Sequence, residues 1–334
     1  MRVNIFFVVL LGIPGVPTSA HHSEAGFDKN TVVAFDAKVI EYDWRNPHVY
    51  ILVETDGPNG NSVEWRIETS STPILSRGGW TKDSLNPGDT VIIRGHPERN
   101  SSRNYAILLT LEKENGVVLS AASPDPRGVS SASDLSGVWK GSGGQAEEEG
   151  EFRQRLSSPL LTEKGASARD SYDFYTDSPV AQCIAHTSPW LITTGLYLNE
   201  IDFTDDVVII RSEFFDVERS IFMDGRSHPI DGERFQQGHS IGWWENETLI
   251  VDTNLFSDHR TGNGPGIPSG AQKHVIERYT LSEDGRRIIL DIVLEDDEYL
   301  AEPLSGSIEW IYAPELQLYS YNCAQDVSRA FRHD

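Results

Sequence analysis

Imidazole and carboxylate side chains recur at strand-like spacing in the C-terminal half of the chain. His239 opens one predicted strand, and Asp252 lies late in the strand that follows it. In a third predicted strand, His274 and Arg278 share one face and Glu277 lies on the other, because successive residues point to opposite sides. Imidazoles exchange protons near neutral pH, and a carboxylate can orient an imidazole for that purpose. We therefore predict acid/base roles for His239 and His274, with Asp252 and Glu277 as the orienting carboxylates.

The predicted site extends to groups that would bind a ligand. Arg278 lies two same-face steps of about 6.8 Å each from His274, and both side chains are expected to project into a barrel. A guanidinium there would hold an anionic group or stabilise an oxyanion. The side chains expected to contact the ligand are Arg226, His228, Trp243, His259 and Tyr279. The alternative for each residue is a structural role, as a buried histidine or as one partner of an ion pair.

The first twenty residues have the three parts of a secretory signal. Arg2 supplies the positive charge, Ile5–Ile13 the apolar run, and residues 18–20 the small side chains before a cleavage site. The apolar run is shorter than the roughly 20 residues that a membrane-spanning helix needs. We predict a signal peptide at residues 1–20 and a mature protein that is secreted or periplasmic and not inserted in the membrane. An uncleaved anchor is the alternative.

Histidines at this predicted new N-terminus indicate a second kind of chemistry. A free α-amine beside the imidazoles of His21 and His22 can chelate a metal, and His48 follows an Asn-Pro pair. Imidazole nitrogens suit copper and zinc. A periplasmic copper- or zinc-binding protein using His21, His22 and His48 is therefore an alternative. The leading hypothesis needs no cofactor, because the sequence has no nucleotide-binding or phosphate-cradling motif.

The chain has two cysteines, Cys183 and Cys323. Export permits a disulfide bond. The clustered Cys-x-x-Cys spacing of metal sites is missing. We predict that Cys183 and Cys323 form a disulfide, with two free thiols or a metal pair as the alternatives.

The charge of the chain excludes some classes of partner. The 334 residues include 28 basic and 51 acidic side chains, for a net charge of −23. Proteins that bind duplex nucleic acid neutralise its phosphates with Lys and Arg, so we expect no nucleic-acid partner. Anionic lipid is disfavoured for the same reason. The expected partner is a small-molecule ligand, and the sequence does not indicate an oligomeric state.

Alternating polarity and turn signals predict a first domain at residues 21–113. It would contain one short helix at Ser71–Arg77 and five strands. The predicted strands are Val32–Tyr42, His48–Glu54, Ser62–Glu68, Thr90–Gly95 and Tyr105–Glu112. Five strands and one short helix in a segment of this length are typical of a small OB-like barrel.

Residues 114–133 are rich in Ser, Ala, Pro and Gly and are predicted to be a linker. Residues 134–334 would form a second domain, an antiparallel β-barrel (lipocalin-like) or a sandwich with a ligand pocket. Its predicted strands are Leu196–Phe203, Val207–Phe214, Glu218–Met223, His239–Trp244, Thr248–Thr253, Lys273–Leu281, Arg286–Leu294, Gly306–Tyr312 and Gln317–Asn322. Several are apolar on both faces, which favours a closed sheet. The expected fold class is all-β.

Several motifs relate the chain to uncharacterised proteins. The segments Ala20–Ser23, Trp44–His48 and Arg77–Asp89 resemble a family of small secreted bacterial proteins of unknown function. The C-terminal half resembles the second domain of uncharacterised exported bacterial proteins. The motifs that carry this second resemblance are Asp134–Trp139, Arg219–Pro229, Gly238–Glu245 and Ile276–Tyr279. Together these resemblances imply an exported two-domain protein and assign no activity.

The leading hypothesis is an exported protein that binds a small molecule in its second barrel. If the protein is an enzyme, we expect a cofactor-independent lyase, isomerase or hydrolase that uses acid/base chemistry. The alternatives are the copper- or zinc-binding protein described above and a non-catalytic interaction module of the cell envelope.

Overall fold

The structure is a computed structural model that describes residues 26–57, 59–126, 128–143 and 147–326. The predicted signal peptide lies outside the described residues, as do His21 and His22. No helix of the described chain is long and apolar enough to cross a membrane. The fold is dominated by β-strands arranged in two barrels, as the sequence predicted.

The first barrel is the expected OB-like one. Its strands are β1 (Val33–Asp43), β2 (Tyr50–Asp56), β3 (Ser62–Glu68), β4 (Thr90–Pro97) and β5 (Tyr105–Lys113), with helix α1 (Thr72–Arg77) between β3 and β4. The strand order is β3-β2-β1-β4-β5, and a parallel pairing of β3 with β5 closes the ring. Alternate side chains fill the interior: Ile51, Ile67 and Ile93 are fully buried.

The predicted linker at residues 114–133 contains a strand, β6 (Val118–Ser120), which pairs with β5. The Ser- and Gly-rich composition of the segment concealed this strand. It forms because Leu119 packs against the core of the first barrel and is only 9% exposed.

The second barrel is a closed ring of nine strands, so the sandwich alternative is not formed. Its strands are β7 (Gly137–Gly141), β8 (Leu198–Phe203), β9 (Val207–Ser212), β10 (Val217–Phe222), β11 (His239–Glu245), β12 (Thr248–Asn254), β15 (His274–Leu281), β16 (Arg287–Glu295) and β17 (Leu304–Tyr312). A hairpin of β13 (His259–Gly264) and β14 (Ile267–Ser269) is inserted between β12 and β15. Neighbouring strands follow chain order and are antiparallel, except that β10 pairs in parallel with β11.

Three helices that the sequence did not indicate precede β8: α2 (Glu147–Ser157), α3 (Glu163–Asp170) and α4 (Phe174–Asp177). Helix α2 is strongly polar and buries Phe152 and Leu156 against the barrel. A Cβ atom at Gly306 of β17 would overlap the ring of Phe152. The absence of a side chain at Gly306 therefore allows α2 to pack on the barrel.

The interior of the second barrel is filled by large side chains. Trp139, Tyr279 and Trp310 are fully buried there. A cavity of about 290 Å³ lies elsewhere, beside Lys140 and Arg153, and none of the predicted site residues lines it. Large aromatic side chains therefore occupy the barrel interior where the ligand was expected to bind.

The predicted disulfide is confirmed: Cys183 is bonded to Cys323, with 5.7 Å between their Cα atoms. The segment Gln317–Asn322, predicted as a strand, is not one. The backbone N–H groups of Tyr319 and Tyr321 donate to the carboxylates of Glu213 and Asp216 instead of to a neighbouring strand. The alternation of aromatic and polar residues in this segment indicated a strand. Its cause is instead the packing of Tyr321 in a cluster that includes Cys323 of the disulfide.

The two barrels contact each other through α1. Arg77 at the end of this helix forms an ion pair with Glu213, and both side chains are almost fully buried. The Arg77 guanidinium also donates to the carbonyl oxygen of Leu196, at 3.0 Å. Beside this pair, Ile74 of α1 packs with Tyr197, and Tyr321 belongs to the same cluster.

Candidate functional site

The strand that carries His274 and Arg278 has the predicted alternation, but its faces point the other way. Val275, Glu277 and Tyr279 are fully buried in the barrel, whereas His274 and Arg278 are half-buried on the outside. The prediction that His274 and Arg278 project into the barrel is therefore wrong. Val275 and Tyr279 give their face the larger apolar surface, so it is buried although it includes Glu277.

The outer face of the second barrel brings together four side chains from neighbouring strands. His239 lies on β11, Asp252 on β12, His274 on β15 and Glu295 on β16, each directed outward. His274 Nε2 lies 2.8 Å from Asp252 Oδ1, and His274 Nδ1 lies 3.1 Å from Glu295 Oε2. Because carboxylates only accept hydrogen bonds, both nitrogens of His274 donate, and the ring is held as a cation between two carboxylates.

A fifth side chain reaches this face from the connection between β10 and β11, residues 223–238. His228 Nε2 lies 3.2 Å from Asp252 Oδ1, and His228 Nδ1 lies 2.9 Å from His239 Nδ1. If His228 is neutral and donates from Nε2 to Asp252, its Nδ1 accepts the N–H of His239 Nδ1. The Nε2 lone pair of His239 then remains available, and no described residue hydrogen-bonds to it.

The electrostatics of the cluster distinguish its histidines. Hydrogen bonding to Asp252, helped by Glu295 and opposed by burial, raises the pKa of His274 to about 8. Partial burial is the largest influence on Asp252 and acts to raise its pKa. The hydrogen bonds from His274 and His228 and the positive charge of His274 outweigh it, so the pKa of Asp252 is lowered. At neutral pH, His274 is therefore charged and Asp252 is ionised.

The pKa of His239 shifts in the opposite direction. Partial burial lowers it, and the neighbouring His228 and Arg226 lower it further because each carries or can acquire positive charge. His239 also stacks on the ring of Phe222, with 5.3 Å between ring centroids. A neutral imidazole with a lowered pKa and an available nitrogen is suited to accept a proton at neutral pH.

Three other predicted residues lie on or beside this outer face. Trp243 of β11 and Arg278 of β15 face outward, nearer the hairpin ends of their strands than His239 and His274 are. Arg226 lies in the connection with His228, pairs with Asp224, and stacks its guanidinium on Phe222. These side chains could contact a molecule that extends beyond the histidines.

The remaining predicted residues of the second domain are buried: Glu277 and Tyr279 inside the barrel, and His259 at the start of the inserted hairpin. Glu277 accepts hydrogen bonds from the guanidinium of Arg219 at 3.1 and 2.9 Å, and from the hydroxyl of Tyr279. Glu277 therefore cannot orient His239 or His274 in this arrangement. His259 is 6% exposed and contacts the carbonyl oxygen of Ala185. Burial lowers the pKa of His259 to about 4, so it is neutral.

Arg219 and Lys273 are among the buried charged residues that sequence reasoning missed. Arg219 occupies an inward position between Val217 and Ile221, and its isolated charge in an apolar alternation was the available signal. Lys273 is 1% exposed and donates to Thr187 Oγ1 and to the carbonyl oxygen of Gly262. No sequence pattern links Lys273 to its partners, since Thr187 is far from it in the chain.

The first barrel holds the third histidine of the alternative metal site. His48 Nδ1 lies 3.0 Å from the carbonyl oxygen of Thr69 and 3.3 Å from Glu68 Oε1. His21 and His22 are not among the described residues, so the proposed combination is not represented. Within the described parts of the chain, no group of three or more His, Cys, Asp or Glu side chains is arranged to hold a metal ion.

A family of unknown function, DUF6152, matches residues 10–106, which include most of the first barrel. This match agrees with the resemblance of the N-terminal half to an uncharacterised family. It does not extend to the second barrel. No curated protein matches the chain.

Proposed function

We propose that the chain is an exported protein that performs acid/base chemistry on a small molecule at the outer face of its second barrel, with His239 as the base. The observation that carries this proposal is the hydrogen-bonded series from Asp252 through His228 to His239. A series of this kind fixes the tautomer of the terminal imidazole and stabilises the charge that the imidazole acquires.

The proposed proton transfer uses each member of the series. His239 Nε2 accepts a proton from the substrate or from a water molecule. His228 accepts a hydrogen bond from the resulting imidazolium, and Asp252 stabilises the positive charge through His228. His274 keeps Asp252 ionised, since its own positive charge lies 2.8 Å from the carboxylate oxygen. Proton abstraction of this kind serves a lyase or an isomerase, and water activation serves a hydrolase.

Export is part of the proposal. The N-terminal sequence has the parts of a secretory signal. A disulfide between Cys183 and Cys323 is compatible with an oxidising compartment outside the cytoplasm. The motifs of the second barrel resemble those of exported bacterial proteins.

The protonation states can be measured without knowing the substrate. Long-range proton–nitrogen NMR of the imidazole rings should find His239 neutral with its proton on Nδ1, and His274 doubly protonated at pH 7. Assignments would come from His239→Gln and His274→Gln variants, and His96→Gln provides a matched control because His96 lies on the first barrel. A His239 proton on Nε2, or a neutral His274 at pH 7, would contradict the proposed base.

Metal analysis separates this proposal from the metal-binding alternative. The correctly processed protein should be compared with a His228→Gln/His274→Gln variant. Stoichiometric copper or zinc that is lost in the variant would overturn the cofactor-free mechanism. Metal that is retained in the variant would indicate the N-terminal histidines instead.

A further inference from the structure

We propose that the outer face of the second barrel includes a saccharide-binding subsite formed by Trp243, Arg278 and Asp291. The proposal names a substrate class for the proposed function. The claim that the bound saccharide reacts rests on the proposed function, whereas the claim that it binds does not. Binding at the subsite can be tested on its own. The predicted substrate is an elongated, uncharged saccharide.

The three side chains lie in one row across neighbouring strands. Trp243 pairs in register with Ile250, Ile250 with Arg278, and Arg278 with Asp291. Ile250 points outward, because Leu249 and Val251 on either side of it face the core, yet Ile250 is only 2% exposed. Neighbouring groups therefore shield Ile250 from solvent, and its flanking partners in the row are Trp243 and Arg278.

Trp243 is partly exposed on the outer face of the barrel. Its side chain is 39% exposed, and its indole Nε1 donates to Glu245 Oε1 at 2.9 Å. This hydrogen bond holds one edge of the ring. The C–H groups of a sugar ring form an apolar surface that can pack on an exposed indole face. Trp244, the next residue, differs because its ring stacks on Phe203 of β8, with 6.0 Å between the ring centroids.

Arg278 and Asp291 supply the polar groups that sugar hydroxyls require. Arg278 is half-buried, and within the described residues no carboxylate forms an ion pair with it. Asp291 is exposed and accepts one hydrogen bond from Ser307 through Oδ1. A guanidinium only donates and a carboxylate only accepts, whereas a hydroxyl group does both. Saccharide hydroxyls can therefore satisfy both side chains at once.

The charge of the surface favours an uncharged ligand over an anion. Arg278 and Asp291 are direct neighbours in the sheet, so the positive charge of one offsets the negative charge of the other. The chain as a whole carries a net charge of −23. Its field would repel an anionic ligand and would not act against a neutral one.

The subsite lies on the same face as the proposed base. Trp243 and His239 are on β11, two same-face steps apart, which corresponds to about 13 to 14 Å. Ile241, between them, is half-buried beside Asp252 on the neighbouring strand. A saccharide of more than one ring, anchored on Trp243, would therefore extend toward His239 Nε2.

Calorimetric titration of the mature protein with cellohexaose and chitohexaose tests the inference. Both are neutral, and a galacturonic acid hexamer provides the anionic comparison. We expect at least one neutral probe to bind. We expect Trp243→Ala and Arg278→Ala each to weaken its binding at least about tenfold, since Trp and Arg side chains are typical binding hot spots. Trp244→Ala is the matched control and should change the affinity less than about twofold, because its ring faces Phe203.

Three outcomes would overturn the inference. They are binding of neither neutral probe, binding that survives Trp243→Ala unchanged, and tighter binding of the anionic hexamer than of either neutral one. His239→Gln separates this inference from the proposed function. Saccharide binding with no reaction that depends on His239 would leave the subsite in place and contradict the base. Circular dichroism of each variant would show that it is folded.

Discussion

The Nδ1 atoms of His228 and His239 lie 2.9 Å apart, so one of the two nitrogens carries a proton and donates a hydrogen bond that the other accepts. When His228 is neutral, the carboxylate of Asp252 decides the direction, because His228 Nε2 must donate to it and His228 Nδ1 is then the acceptor. In this arrangement one carboxylate sets the tautomers of two histidines and leaves the Nε2 lone pair of His239 available.

Replacing this carboxylate should change the titration of His274 in a measurable way. In Asp252→Asn, the pKa of His274 is expected to fall from about 8 toward its ordinary value of 6.5, because its principal hydrogen-bond acceptor has lost its negative charge. NMR titration of the His274 ring measures this pKa. Glu295→Gln should lower it less, since Asp252 has the larger effect. Equal effects of the two substitutions would contradict the assigned order.

Lys273 should make the stability of the protein depend on pH. Burial lowers its pKa from 10.5 to about 7 in the folded state. Between these values the unfolded chain binds more protons than the folded one, so the free energy of unfolding rises as pH rises and falls as pH returns toward 7. Denaturant unfolding at pH 7 and 9 should show a steeper rise for the natural protein than for Lys273→Met. Parallel pH profiles would show that Lys273 keeps its charge when buried.

The disulfide should contribute strongly to stability. Cys183 and Cys323 are separated by 140 positions, and the double substitution to Ser is expected to lower the free energy of unfolding by about 2 to 5 kcal/mol. Guanidinium unfolding with and without reductant measures the difference. Reductant should destabilise the natural protein and leave the double variant unchanged. If reductant affects both equally, the stabilisation comes from another source.

The buried ion pair between the barrels should contribute more to the free energy of unfolding than an exposed ion pair does. Arg77→Met leaves Glu213 buried without its cation and should cost about 3 to 5 kcal/mol in the free energy of unfolding. Arg45→Met is the matched control, because Arg45 pairs with Asp43 and Asp326 while 46% exposed, and it should cost less than about 1 kcal/mol. Similar costs for the two substitutions would show that the barrels do not depend on the buried pair.

The sequence was sufficient to predict the first barrel, a second domain that is a barrel or a sandwich, and the disulfide, because strand alternation and the presence of two cysteines can be read directly from the residues. Alternation also showed correctly that His274 and Arg278 share a face. It did not show which face is inside. The inward face includes the carboxylate of Glu277, whose charge is neutralised by Arg219 on a strand that is distant in the chain. The partner of an inward charge depends on barrel closure, which no local pattern records.

Helix α2 illustrates a second limit. Phe152 and Leu156 are its deeply buried apolar side chains, and the rest of the helix is polar, so its periodicity is weak. Its position depends on space left at Gly306, which lies in β17. His228 shows the same limit at the candidate site. The Asp-Gly turn before it indicated a loop. The contact of His228 with Asp252 depends on the direction in which this loop crosses the sheet, and the sequence does not show that direction.

Both closed rings have an odd number of strands, five in the first barrel and nine in the second. Strand directions can alternate all the way around a closed barrel only when the number of strands is even. A barrel with an odd number of strands must therefore contain a parallel pair of neighbouring strands. These pairs are β3–β5 and β10–β11. Parallel neighbours need a long return connection between them. In the first barrel that return includes α1 with Arg77, and in the second it is the segment with His228. The odd number of strands in each barrel thus accounts for the connection that carries Arg77 to the second barrel and for the connection that carries His228 to the candidate site.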